Sequence, residues 1–352
     1  MKKIFVVVII FMVLISCSKV TDRIKHKKRF FNETSFWNQP IRAGAEIDER
    51  SAEWIALLTT EPNMANMGIN VYHWTIPVYE VDDKTPTYPI YRHRLSKDEQ
   101  EHWVTQREFF GHGPGFGENV PVPDNAIPDP EEDAHFAVVD WQKKIAWDMW
   151  GFRFRPDGTY ESNTGMKYSL AGDGVFKTED LNIINGESVH FHGPSRASGV
   201  PAIAGLIMYD EIKQGRIAHK LAAATRFAAF QEFVYPAAWA DGYTPGGIPE
   251  GAVIQLDPEL DLTQFELTAG ELIVAKALQE YGAVFVDVAQ GTPLYAEGLW
   301  GHPEKSWDGI LREWDAGICT IPIDHYRILK VGTTIKKGDS RSLKYPYWEE
   351  NN

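Results

Sequence analysis

The feature that most limits the folds open to this chain is its division, from Asn70 onward, into short apolar runs separated by turn residues. Asn70-Val-Tyr-His-Trp-Thr-Ile-Pro-Val-Tyr-Glu-Val, Tyr88-Pro-Ile-Tyr-Arg-His-Arg, Ala134-His-Phe-Ala-Val-Val-Asp, Ile145-Ala-Trp-Asp-Met-Trp and Phe152-Arg-Phe are rich in aromatic and β-branched types, which suit a pleated, half-buried surface. Trp141-Gln-Lys-Lys joins two of these runs as a hairpin, and Asp157-Gly158 and Gly172-Asp173-Gly174 are turn signals. Ala252-Val-Ile-Gln-Leu and Ala283-Val-Phe-Val-Asp-Val read as further strands, the second carrying Asp287. Strands that adjoin through turns, without sustained β-α-β alternation, predict a mainly β fold: an antiparallel β-sandwich or jelly-roll-like body with a few peripheral helices.

Three helices are expected. Asp48 to Thr60 places Ala52, Trp54, Ile55, Leu57 and Leu58 at helical spacing and stops before Pro62. Asp210 would cap a short helix that runs through Gln214 and ends at Gly215. Thr268-Ala-Gly-Glu271 is a capping box opening a helix with Leu272, Ile273, Ala275, Ala277 and Leu278 inward, closed by Gly282. Ile217 to Thr225 fits either helix or strand, since its alanines favour one and its context the other. Residues 111 to 130 hold five prolines and four glycines and are expected to form a long surface loop with little to bury. No shift of composition marks a linker and no repeat is found, so 30–352 reads as a single β-rich domain.

The N-terminus supplies an address. Lys2 and Lys3 precede an apolar run from Ile4 to Ile15, which suits a signal-peptide core better than a membrane span. The run ends at Leu14-Ile-Ser-Cys17, which resembles the lipobox of bacterial lipoproteins, whose cysteine is lipidated and becomes the mature N-terminus. The resemblance implies a signal peptide over 1–16, lipid on Cys17, a tether over 17–29 and a membrane partner reached through that lipid. Ser18 resembles the outer-membrane sorting pattern. With Cys17 lipidated, Cys319 is the other cysteine, which leaves no intrachain disulfide and no thiolate metal cluster.

A net charge of -14 disfavours a nucleic-acid partner, because phosphate neutralisation needs a basic face. The aromatic load points elsewhere. Of twelve tryptophans, Trp103, Trp239, Trp300 and Trp307 stand among His, Asp and Gly residues, where core packing explains them poorly. An exposed indole beside hydrogen-bonding groups suits a pyranose ring, so a polysaccharide or oligosaccharide is the expected partner.

Chemistry is expected near His190-Phe-His-Gly-Pro-Ser-Arg-Ala-Ser-Gly199, where two imidazoles on one strand face precede turn-forming residues. A divalent metal could use His190 and His192, though the spacing identifies no third ligand, and no other cofactor is expected. A hydrogen-bonded structural pair is the plainer reading of them. For hydrolysis, carboxyls in apolar company are candidates: Asp148 between Trp147 and Met149, Asp140 before Trp141, and Asp287 between valines. Asp140 and Asp287 could equally just end strands. Asp173, between glycines, fits a turn or a ligand contact. For β-elimination from a uronic-acid polymer, His190, His192, Arg196 and Tyr168 could supply base and charge neutralisation, with Arg92, Arg94, Arg153, Arg155 and Arg196 as a local basic groove. His219 is a further catalytic candidate, as are His73, His93 and His112, although each alone is as readily structural.

The blocks Val120-Pro-Val-Pro-Asp-Asn-Ala, Gly172-Asp-Gly-Val, Ala197-Ser-Gly-Val-Pro-Ala-Ile-Ala-Gly-Leu-Ile, Ile248-Pro-Glu-Gly-Ala and Ala277-Leu-Gln-Glu-Tyr-Gly resemble a set found in secreted, largely uncharacterised bacterial proteins. That resemblance implies secretion and a shared fold and attaches no catalytic residue. The expectation is a lipid-anchored envelope protein that cleaves a polysaccharide, as glycoside hydrolase or polysaccharide lyase. The alternatives are a glycan-binding lipoprotein without catalysis and a structural envelope protein.

Overall fold

The computed structural model of the protein describes residues 28–62, 64–92, 112, 116, 119–176, 178–179, 182–184, 187–189, 194–336 and 342–343. Eleven strands build its two main sheets: β1 (Met67–Asn70), β2 (Ile76–Glu80), β3 (Phe136–Asp140), β4 (Ile145–Trp150), β5 (Thr164–Ser169), β6 (Leu221–Ala224), β7 (Val253–Leu256), β8 (Ala283–Asp287), β9 (Thr292–Tyr295), β10 (Glu297–Gly298) and β11 (Tyr326–Ile328). The first sheet orders β1-β9-β6-β8-β7-β11 and the second β5-β4-β3-β2-β10. A mainly β, sandwich-like body with few helices is thus what forms. Five of its nine ladders are antiparallel, while β1/β9, β6/β8, β2/β3 and β2/β10 run parallel.

The central strands of both sheets are buried on both faces, so they are mostly apolar rather than alternating with polar residues. Strand periodicity then sorts side chains between layers. In the first sheet, Leu221, Ala223, Ala283 and Phe285 face one core, whereas Ala222, Ala224, Val284 and Val286 face the other. In the second, Ile76, Val78, Ala137 and Val139 look into the space between the sheets, and Tyr79, Phe136, Val138 and Met149 look away from it. The outer core of the first sheet is closed by α1 (Ser51–Leu58), which buries Trp54, Ile55 and Leu58. It is also closed by α3 (Ala269–Glu280), which buries Val274, Ala275, Ala277 and Leu278.

The capping box of α3 is complete: the Thr268 hydroxyl accepts from the Glu271 amide at 3.1 Å and the Glu271 carboxylate from the Thr268 amide at 2.8 Å. Between them, α2 (Tyr209–Gln214) starts at Met208 with no side-chain cap rather than at Asp210, and it stops at Gly215 with φ +86°. Ile217 to Thr225 resolves as a connection into β6.

One sequence expectation is corrected here. Phe116, Val120, Val122 and Ala126 of the proline- and glycine-rich stretch are buried beneath the second sheet, so that stretch supplies core as well as surface. The turn-forming segment after Gly193 runs through the interior: Ser195, Arg196, Ser198, Val200, Ala202, Ile203 and Leu206 are buried, several of them in the core between the sheets. Irregular backbone in such a place must have its polar groups answered. Ser198 N–H donates to Val286 O of β8, Ser198 O accepts from the Ala238 and Trp239 amides, and Gly205 O accepts from Ala222 of β6. Gly205 has φ +70°, and a Cβ there would lie 2.4 Å from the Ala222 nitrogen, so the close approach requires glycine.

Candidate active site

Strand alternation carries Asp148 of β4 and Tyr168 of β5 onto the inter-sheet face, the face that Ala146 and Met166 occupy. No solvent reaches a carboxylate there, and Asp148 is fully buried. Its Oδ1 accepts the Ser195 N–H at 3.1 Å; its Oδ2 accepts the Ala202 N–H at 2.7 Å and the Tyr168 hydroxyl at 3.0 Å. Burial pushes its pKa up to about 6, against the pull of these hydrogen bonds and of Arg196. Asp148 therefore clamps two points of the inter-sheet segment to the second sheet.

The Arg196 side chain is also fully buried, donating from Nη2 to Ala202 O at 3.3 Å. Its guanidinium carbon lies 4.0 Å from the centre of the Tyr295 ring, and Nη1 faces Asp287 Oδ2 at 3.9 Å, an ion pair too long for a hydrogen bond.

Around this cation the fold collects acids. Asp287 ends β8, and its Oδ1 accepts the Val288 N–H at 3.0 Å while 17% of its side chain stays exposed. Glu250, at the end of the strand Ile248–Glu250, is completely buried and accepts the Asp241 N–H at 3.2 Å. Asp241 itself is exposed. Asp133 accepts the Trp150 indole N–H at 2.9 Å.

Burial, then the charge of Asp241, drives the Asp287 carboxyl well above its usual range, with Arg196 opposing. Burial and Asp241 do the same to Glu250. His135, just before β3, is pushed down to about 4 by burial, with Arg196 reinforcing and Asp133 opposing. Carboxyls this close in a poorly solvated place cannot all ionise together, so Asp287 and Glu250 give up their protons later than ordinary carboxyls do. Of twelve buried side-chain atoms without a hydrogen-bond partner among the described residues, six belong to this cluster: His135 Nδ1, Ser195 Oγ, Arg196 Nε and Nη1, Ser198 Oγ and Glu250 Oε1. Native interiors rarely leave such groups unanswered unless a function uses them.

The structure thus brings together Asp148, Tyr168, Arg196 and Asp287 from the residues the sequence nominates, and it adds Trp239, half-buried, whose amide binds Ser198 O. His190, His192 and Trp103 lie outside the described residues, as does Cys17. Several assignments are corrected. Tyr168 and Trp307 have essentially no exposed surface, so neither can face a substrate; Trp307 donates to Glu297 O at 2.9 Å and packs edge-on to Tyr209. Trp300 is elsewhere, its indole donating to the Thr75 hydroxyl at 3.1 Å. Asp173 is an exposed turn residue that accepts the Val175 amide, and Asp140 caps the β3–β4 hairpin through the Gln142 and Lys143 amides. Arg196, being buried, belongs to no surface groove.

His219 has both ring nitrogens engaged, Nε2 with Glu211 at 2.8 Å and Nδ1 with Lys220 O at 2.7 Å. It braces Glu211 and offers no free nitrogen to a substrate.

Asp133, His135, Asp241, Glu250 and Tyr295 were not nominated from the sequence. The one signal for Glu250 is an acid in the otherwise small and apolar run Gly246 to Ile254. Among the described residues no three His, Cys, Asp or Glu side chains are arranged to hold a metal ion, and no helix is long and apolar enough to cross a membrane. No protein-family model, curated protein or solved structure matches the chain.

Proposed function

We propose that the protein is a lipid-anchored envelope enzyme that hydrolyses a glycosidic bond of a polysaccharide at the acid cluster around Arg196. The observation that carries this reading is Asp287: a carboxyl whose pKa burial and a neighbouring acid drive above its usual range, 17% exposed, and set between an exposed acid and a buried guanidinium. Glycoside hydrolysis needs two carboxyls in different protonation states, one to protonate the leaving oxygen and one to act as base or nucleophile. Asp287 takes the first role and Asp241 the second. Glu250 lies behind Asp241, and Arg196 holds the charge balance that sets when Asp287 gives up its proton. Trp239 offers the sugar an aromatic face. Lipid on Cys17 keeps the enzyme at the outer membrane, beside polymeric substrate.

Elimination has weaker support, because Arg196 and Tyr168 are committed to the buried network and the remaining residues assigned to it, His190 and His192, lie outside the described residues. The test is incubation of the full-length chain in detergent with a panel of polysaccharides, read by new reducing ends and by the absorbance of unsaturated products. Reducing ends without that absorbance are expected. Asp287→Asn and Asp241→Asn should each lower kcat by about 10²- to 10⁴-fold, the usual worth of a general acid or base, with native circular dichroism. Absence of cleavage across the panel, or a wild-type rate in Asp287→Asn, overturns the assignment.

A further inference from the structure

The opposite end of the sandwich holds a cavity of about 570 Å³, within the range of small-molecule sites. It opens where β2 finishes at Glu80 and just before β6 begins at Leu221. Strand β3 spans the distance between the two places, with His135 before its first residue and Trp141 after its last. At about 3.4 Å per residue, that puts about 17–20 Å between His135, at the acid cluster, and Trp141, on the cavity wall.

The cavity's walls have a definite chemistry. Phe30 and Trp141 stack with centroids 5.3 Å apart and planes 13° from parallel, forming one aromatic wall. Arg29 Nε and Trp141 Nε1, on two lining residues, are closed off from solvent and find no hydrogen-bond partner among the described residues, so a ligand reaches them only when the walls shift. Arg29 is fixed through Nη2, which donates to Asn38 O at 3.1 Å and Ala218 O at 2.7 Å. Glu211 is fixed by His219, whose second nitrogen is itself anchored on a backbone carbonyl.

The site therefore offers an apolar face and a braced acceptor, with two unanswered donors just behind the wall that a small movement would open. Its charges nearly cancel, with Lys28 paired to Glu80 and acids on α2 facing Arg29, which argues against a polyanion. Burying an acyl chain against these carboxylates would strand their charge. A pyranose satisfies every wall: its C–H face stacks, and its hydroxyls both accept and donate.

We propose that this cavity is a second, non-catalytic saccharide site that holds a neutral sugar segment by stacking on Phe30 and Trp141 and hydrogen bonding to Arg29, Trp141 and Glu211. The ligand class rests on the carbohydrate reading above; the site does not depend on the chemistry of Asp287. The test is calorimetric titration of the full-length chain in detergent with cellobiose, maltose and N,N′-diacetylchitobiose. At least one should bind, and as tightly to Asp287→Asn as to the wild type.

Trp141→Ala and Glu211→Gln should weaken that binding at least tenfold. Trp141→Phe, which keeps the stack and loses the donor, should weaken it less, and with Glu211→Gln it decides the matter if Trp141→Ala fails to fold. Cleavage of a short soluble substrate should be unchanged in all three. Absence of binding by every disaccharide, or wild-type binding in Trp141→Phe and Glu211→Gln, overturns the proposal. Binding that disappears in Asp287→Asn also overturns it, by placing the sugar at the acid cluster. Binding here without cleavage anywhere would instead sink the hydrolase reading and leave this one standing.

Discussion

At the scale of single residues, Asp148 shows how chemistry visible in the sequence can have an architectural use. An acid between Trp147 and Met149 is conspicuous, and the inference that burial raises its pKa holds. Its oxygens, however, face two backbone amides and a tyrosine hydroxyl rather than an opening. Asp148→Asn sets an amide donor against donors on one side, and leaving a buried group mismatched costs about 1–3 kcal/mol. The expected result is a lower denaturation midpoint with little change in slope; an unchanged midpoint would show that the carboxylate does not clamp the segment. The fuller site was not legible, because Asp148, Arg196, Asp241 and Asp287 are far apart in sequence. Asp133, His135 and Tyr295 look in isolation like ordinary strand-end residues.

At the scale of elements, local signals succeeded where they were self-contained. The capping box of α3, the stop at Gly215 and the β3–β4 hairpin each depend on residues within one short stretch. β9 escaped notice because Pro293 argues against a strand flanked on both sides, and only the pairing shows why it is tolerated. Its ladder with β1 is regular, whereas β6 touches it at a single pair, Ala223 with Leu294.

The same contrast separates two substitutions at the start of α3. Thr268→Ala removes a cap and should cost about 1 kcal/mol. Glu271→Ala removes the reciprocal bond and also the carboxylate that accepts from Arg312 N at 3.0 Å, Nε at 2.8 Å and Nη2 at 2.6 Å. Because Arg312 is 35% exposed and water can answer it, losing these bonds should add about 1–2 kcal/mol to the cost of the cap. Equal losses in thermal unfolding would mean that Arg312 is not held through Glu271.

At the scale of the whole molecule, the acid cluster has a stability signature. A carboxyl whose folded pKa is raised ionises first in the unfolded chain, so the native state binds more protons above about pH 4 and stability falls as pH rises through the folded value. Asp287→Asn removes that slope. The variant should therefore be more stable than the wild type at pH 8, by about 1.4 kcal/mol for each unit of displacement removed, and melt at a higher temperature there, and the two should converge near pH 4. Melting curves that stay parallel across this range would mean that Asp287 is not held protonated, and its role as proton donor would fall with it. A site that weakens its own scaffold is a familiar trade between activity and stability.

The strip of chain between the sheets has one more implication, for how this protein can change over evolutionary time. Connecting segments are ordinarily where genomes experiment with length, because slack at the surface is harmless. Here residues 195 and 202 answer to one carboxylate, with buried walls on both sides. A single inserted codon would leave the extra residue nowhere to bulge, so this connection should drift in identity yet keep its length.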